Sequence, residues 1–161
     1  MYHAKILADS LSENGVRLTT FEIRYPRIVL AELNTHRVLS RNTASSRAIP
    51  VAKMIEEVET SDCPVQEWGK NQSGMQAREM LTGASLLAAK SLWESSKHVA
   101  LNHARQLTSV GAHKQIANRL LEPFAWVTSV VSATEYSNFF KLRCHRDAQP
   151  EIRKIAELMR V

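Results

Sequence analysis

Three features of this 161-residue sequence predict a single α/β or α+β domain. Two apolar-alternating segments flank a turn near the start, one β-branched run surrounds residue 130, and helical periodicity fills most of the remainder. Residues 4–8 and 16–24 read as strands of a hairpin around the turn-forming Ser12, Asn14 and Gly15. In the second of these, Val16 and Leu18 alternate out of phase with Phe21 and Ile23, which predicts either a bulge or a strand covered on both faces. Pro26 suits a first helical position, and residues 27–36 are predicted helical, with Val29 and Leu33, and Glu32 and His36, as i, i+4 pairs. A loop is then expected up to Pro50, followed by a short helix over 51–60 and a long irregular connection over 61–74 carrying Trp68.

From Met75 the spacing of Met80, Leu81, Ala84, Leu87, Ala88 and Leu92 predicts a helix, continued by Val99, Ala100, Ala104 and Leu107 and stopped by Gly111. These apolar stripes read as core or subunit interface. Residues 113–121 predict another helix before Pro123, and residues 125–133, rich in Val, Thr and Ser, predict a buried strand. Thr134 and Asp147 are candidate caps for two final helices, the last over 148–159.

The composition, 44% hydrophobic and 23% charged, describes a globular chain able to bury a core. A net charge of +5 favours an anionic partner such as a nucleotide, a phosphorylated metabolite or nucleic acid. Cys63 and Cys144 stand far apart with no metal-ligand spacing nearby, so neither a disulfide framework nor a metal site is expected. The N-terminus lacks a secretory signal and no segment is long and apolar enough to span a membrane, so a cytoplasmic protein is expected. Neither a Walker-type phosphate loop nor a GxGxxG turn occurs, and Cys144 beside His145 does not make a catalytic dyad because sequence neighbours point apart.

The stretch from Glu32 to Arg47 is the densest in polar function. No acidic residue occurs between Leu33 and Ile55, while His36, Arg37, Arg41 and Arg47 offer charge-assisted donors and Ser40, Asn42, Thr43, Ser45 and Ser46 can complete a cradle for phosphate oxygens. The competing reading is a solvated basic loop. Two further sites join it: Arg119, shortly before Glu122 and Pro123, and the run from Asn138 to Arg146 with Lys141, Arg143, His145 and Arg146. Arginines on such segments suit a phosphate at one end of a ligand and a carbonyl at the other.

On these residues the sequence resembles the flavin-dependent thymidylate synthases. Their signature has a His-Arg pair, then Ser, Asn, Ser and Arg at fixed intervals, and it stands here as His36, Arg37, Ser40, Asn42, Ser45 and Arg47. A second block stands as Asn138, Leu142 and Arg143 followed by Ala148, Gln149, Glu151 and Ile152, and a third as Arg119 and Pro123. The resemblance covers nearly the whole chain. It implies one domain over residues 1–161 with a small, mostly antiparallel sheet flanked by long helices.

It also implies the chemistry: reductive methylation of dUMP to dTMP on bound FAD, with methylenetetrahydrofolate as carbon donor and NADPH as reductant, in a homotetramer whose active sites are shared among chains. His36 and Arg37, with Asn138 and the neighbouring Thr35 and Thr43 positions, are implied flavin contacts. Glu32, Ser45, Ser46, Arg47, Arg119 and Arg143 are implied dUMP contacts, Arg119 acting from a neighbouring subunit and Arg143 as the catalytic residue that favours ionised N3 of the uracil. Thr35 stands where the family has Arg, Thr43 where it often has Glu, and Glu32 where it commonly has Gln. These departures, and an expected C-terminal shortening, resemble a divergent bacteriophage branch. They keep open a related dUMP-modifying reaction such as hydroxymethylation, or a homologue that binds flavin and nucleotide without turnover. From another class, a small basic nucleic-acid-binding protein is disfavoured because no aromatic residues are interleaved with the basic stretch as stacking platforms.

Overall fold

The computed structural model describes residues 1–160. It is a mixed α/β fold whose chain forms two compact units, one of residues 1–44 and 126 onward, the other Ser45–Ala125.

The first unit is built on a four-stranded antiparallel sheet in the order β1-β2-β4-β3, with β1 at His3–Leu11, β2 at Arg17–Pro26, β3 at Ser40–Thr43 and β4 at Trp126–Ala133. The N-terminal hairpin forms as expected. Its turn is closed by Ser12 N–H to the Val16 carbonyl at 2.9 Å and by Gly15 at φ +77, a conformation that glycine adopts without a Cβ clash. The irregularity lies on the opposite strand from the one whose parity changes: Ile6 faces Phe21 and Ala8 faces Thr20, so β1 carries the extra residue at Leu7. β2 itself runs regularly, burying Phe21, Ile23 and Tyr25 while Leu18 and Val16 near the hairpin tip stay exposed.

β4 is one of the two inner strands. It pairs with β2 through Phe21–Val131, Ile23–Ser129 and Tyr25–Val127, and with β3 through Ser40–Ser132 and Thr43–Ser129. The β3 segment corrects the expected loop. Its residues are polar and make no apolar alternation, but their backbone satisfies the second edge of a buried strand, a demand set by the sheet rather than by local sequence. A polar seam crosses this edge: Ser129 Oγ, fully buried, meets both Tyr25 Oη at 2.8 Å and Thr43 Oγ1 at 2.7 Å.

The expected helix over 27–36 is much shorter, a 3-10 turn at Arg27–Val29 running into α1 at Leu30–Leu33. Thr35 Oγ1 donates to the Glu32 carbonyl at 2.7 Å, offering the backbone a side-chain partner where the helix would otherwise continue. After β4, α5 spans Ser137–Arg143 and α6 spans Pro150–Arg160. Neither begins on the expected cap. Glu135, not Thr134, accepts the Ser137 N–H at 2.5 Å, and the last helix starts at Pro150, whose missing N–H suits that end, rather than at Ala148 behind Asp147. The stripe of Ile152, Ile155, Ala156 and Met159 on α6 closes the core over Ile23, Tyr25 and Val131, with Val29 and Leu33 beside it. Tyr136 pins the start of α5 to the sheet, its hydroxyl reaching the Thr19 carbonyl at 2.9 Å and its ring lying edge-on to Phe21.

The second unit is helical: α2 at Val51–Thr60, as predicted, α3 at Gly83–Ser109 and α4 at Lys114–Ala117, followed by 3-10 turns at Asn118–Leu120 and Glu122–Phe124. Met54 and Val58 of α2 pack with Leu101 and Ala104 of α3 and with Leu121 and Phe124. The long helix starts eight residues later than expected from Met75. Residues 68–81 instead fold back as an extended pair, Leu81 N–H to the Trp68 carbonyl at 2.7 Å and Lys70 N–H to the Glu79 carbonyl at 2.8 Å. Gly69 permits this approach, since a Cβ there would lie 2.1 Å from the Ala77 Cβ. Leu87, Leu92 and Val99 on α3 remain exposed in the single chain, at 70, 69 and 52%.

Candidate functional site

Two of the sequence blocks converge in the sheet-containing unit. α5 presents Asn138, Phe139, Leu142 and Arg143 on one face, as i, i+4 spacing dictates, and that face meets the turn Thr35–Leu39 around a cavity of about 220 Å³, with Glu135 also in its lining. Single sites for drug-sized ligands occupy roughly 300–1,000 Å³, so this cavity suits part of a larger ligand such as one ring system.

Arg143 is the hub. Its Nε donates to His36 Nε2 at 2.7 Å, and its Nη1 forms an ion pair with Oε1 of Glu32. His36 is buried, with its ring edge-on to Phe139 at 4.9 Å between centroids. Burial lowers its pKa, and the positive charges of Arg143 and Arg41 push it down further. An imidazole whose Nε2 accepts a hydrogen bond from a guanidinium is neutral and carries its proton on Nδ1.

Arg41 has a different job from the anion donor expected of it. Its guanidinium caps the carbonyls of Asn34 at 3.1 Å, Leu39 at 2.8 Å and His36, holding the turn that places His36 and Arg37. Arg37 itself is exposed at the cavity lining. Thr43 does not line the cavity; it belongs to β3 and its hydroxyl is engaged with Ser129.

Ser45, Ser46, Arg47 and Arg119 all fall in the helical unit. Ser45 to Ala48 is a tight turn, closed by Ala48 N–H to the Ser45 carbonyl at 2.9 Å, with Ser45 Oγ accepting from Arg47 N–H at 3.3 Å. Ser46 is buried and donates its hydroxyl to Oε1 of Glu122 at 2.5 Å. Asn118, fully buried, donates to the carbonyls of Ser46 at 2.7 Å and Ile49 at 2.9 Å, and Lys114 reaches the Ala48 carbonyl. This clasp fixes the turn against the segment that carries Arg119. The side chains of Arg47 and Arg119 are exposed and have no ion-pair partner among the described residues.

Asn118 is not among the residues that sequence alone selects, and neither the bond from Ser46 to Glu122 nor the role of Arg41 is readable there. The available signal was faint: an Asn immediately before Arg119 within a largely apolar segment, and a Glu beside Pro123. Burial pushes the Cys144 thiol up, away from the thiolate that a nucleophile needs.

The family model described as thymidylate synthase complementing protein matches residues 17–161, most of the chain and all three motif blocks. The chain belongs to the thymidylate synthase complementing protein family. Solved structures similar in fold include the UMP/dUMP methylase PolB from Streptomyces cacaoi bound with 5-Br dUMP, at TM-score 0.75 and 16% identity, covering 99% of this chain and 88% of that one. They also include Thymidylate Synthase X (ThyX) from Helicobacter pylori with FAD and dUMP, at TM-score 0.62 and 16% identity, covering 99% of this chain and 91% of that one. No curated protein sequence matches. For this member of the thymidylate synthase complementing protein family, no helix among the described residues is long and apolar enough to cross a membrane. Nor does any group of three or more His, Cys, Asp or Glu there suit a metal ion.

Proposed function

We propose that this chain is a flavin-dependent enzyme that adds a one-carbon unit to a pyrimidine nucleotide, with reductive methylation of dUMP to dTMP as the leading reaction. The observation that carries the reading is the junction of two motif blocks at one cavity, through the hydrogen bond from Arg143 to His36. Family membership and the ligands named for the fold relatives support it.

The residues at the cavity fit a flavin. A neutral His36, the exposed Arg37 and the Asn138 amide supply donors for its carbonyl and phosphate oxygens, and Thr35, whose hydroxyl proton goes to the Glu32 carbonyl, offers oxygen lone pairs at the lining. FAD, when bound, supplies the redox chemistry that no side chain here can provide. Phe139 and Leu39 exclude water from one wall, and Arg41 keeps the turn from collapsing. The turn at Ser45, Ser46 and Arg47 holds the nucleotide phosphate, assisted by Arg119 donated to a neighbouring chain. Arg143 positions the pyrimidine ring. Thr43 supports the flavin-binding turn from β3 rather than touching the ligand. Methylenetetrahydrofolate and NADPH are the co-substrates, and the enzyme works as a cytoplasmic homotetramer, with the exposed apolar side of α3 as an interface. The whole chain acts as one domain of this family.

Absorbance of the purified protein tests the reading. A yellow protein, whose reduced flavin reoxidises at a different rate when dUMP is added, is the expected result. A protein that takes up no FAD overturns it.

A further inference from the structure

Two opposite charges line the cavity without pairing. Arg37 and Glu135 are both exposed there, and neither makes an ion pair among the described residues. The other guanidinium groups nearby are committed, Arg143 to Glu32 and His36 and Arg41 to three backbone carbonyls. Glu135 stands just before α5, where its Oε1 accepts the Ser137 N–H at 2.5 Å. The hydroxyl and N–H of Ser137, with the Tyr136 N–H, hold its carboxyl below the usual carboxylate range, so it is charged at neutral pH. Its two oxygens carry about four acceptor positions, more than these three donors fill.

A fixed carboxylate in a cavity lining makes a demand on the ligand. It accepts and cannot donate, so it repels phosphate and carbonyl oxygens and is satisfied by an N–H or O–H. Arg37 in the same lining asks for an acceptor instead, and the Asn138 amide can take either. Leu39, Phe139 and Leu142 add apolar wall, and about 220 Å³ holds one ring system, which suits a flat heteroaromatic ring better than a polyol chain. A ring whose N–H lies beside acceptors meets all of these groups at once.

We propose, resting on the flavin reading above, that Glu135 is a ligand-contacting residue: its carboxylate accepts an N–H from a ring of the bound dinucleotide and so sets which part of the cofactor enters this cavity. The phosphates do not lie against it. Two rings of FAD carry such an edge. The flavin offers N3–H between two carbonyls, and adenine offers its amine beside ring nitrogens. A carboxylate that only starts α5 would be indifferent to the ring atoms.

Calorimetric titration of the full chain tests this with three ligands: FAD, FAD methylated at the flavin N3, and the dinucleotide in which hypoxanthine replaces adenine. One of the two analogues is expected to bind about tenfold or more weakly than FAD in the parent, the loss of one charge-assisted hydrogen bond. Glu135→Ala is expected to weaken FAD and to erase that difference. Weakening by the N3 methyl group assigns the contact to the flavin ring, and weakening by hypoxanthine assigns it to the adenine; both uphold the role of Glu135. If Glu135→Ala does not fold, Glu135→Gln keeps an oxygen for the Ser137 N–H and carries the comparison, its neutral amide shrinking the difference. A parent that binds all three ligands alike overturns the proposal without any variant. So does a difference that persists undiminished in the variant, or FAD that binds Glu135→Ala more tightly than the parent. Failure of every dinucleotide to bind overturns the flavin reading itself.

Discussion

The two halves of the His36–Arg47 signature differ in how their charges are held. Around His36 two guanidinium groups are engaged by the protein, Arg143 by Glu32 and His36 and Arg41 by three carbonyls, while Arg37 stays exposed at the cavity. At Arg47 and Arg119 the backbone is clasped by Asn118 and Glu122, but the guanidinium groups themselves are exposed. The difference separates two tasks. A pre-paired, partly shielded couple presents a fixed hydrogen-bonding pattern and little net charge. Exposed arginines on a rigid turn retain their full attraction for a phosphate.

Four substitutions sharpen or break this contrast, the largest effect first. Arg143→Ala removes the hub of the paired half, and steady-state turnover is expected to fall by about a hundredfold or more with the circular dichroism spectrum unchanged. An unfolded variant would make Arg143 a structural residue instead. Asn118→Ala deletes two hydrogen bonds to buried carbonyls and is expected to lower stability by about 1–3 kcal/mol in urea melts while loosening the Ser45–Ala48 turn. Arg47→Ala is expected to weaken dUMP binding by roughly tenfold, through loss of one charge-assisted bond, with stability within about 0.5 kcal/mol of the parent. That loss should shrink as salt is added, which titrations at two ionic strengths will show.

The smallest effect concerns pH. His36 is neutral in the fold because its pKa is depressed below the unfolded value, first by burial and then by the neighbouring arginines. Below the ordinary histidine range the unfolded chain therefore binds the extra proton and the folded chain does not. Its contribution is fully present above that range and declines as pH falls. Melting temperatures measured against pH are expected to drop on acidification, and less steeply in His36→Gln.

Sequence patterning reached those parts of the fold that rest on local periodicity. The hairpin, α2, β4 and the stop of α3 near Gly111 were legible because apolar spacing and turn residues specify them. β3 was not, since Ser40 to Thr43 become a strand only because β4 offers them an edge. The start of α3 was missed because Met80 and Leu81 fall at helical spacing yet are drawn into pairing with residues 68–70. At the site, the motif spacing located His36, Arg37, Asn138 and Arg143, which the fold brings around one cavity. It gave no access to partner choice. Arg41 and Arg143 are chemically identical in the sequence, and only the tertiary structure turns one into a backbone clamp and the other into half of an ion pair.

Mass spectrometry of the nucleotide pool separates an active enzyme from a homologue that only binds its ligands: the full chain is incubated with FAD, NADPH, methylenetetrahydrofolate and dUMP, in parallel with Arg143→Ala. A C5-modified nucleotide is expected from the parent and none from a variant that still binds FAD. Absence of product from a flavin-loaded parent, or equal product from Arg143→Ala, would contradict it.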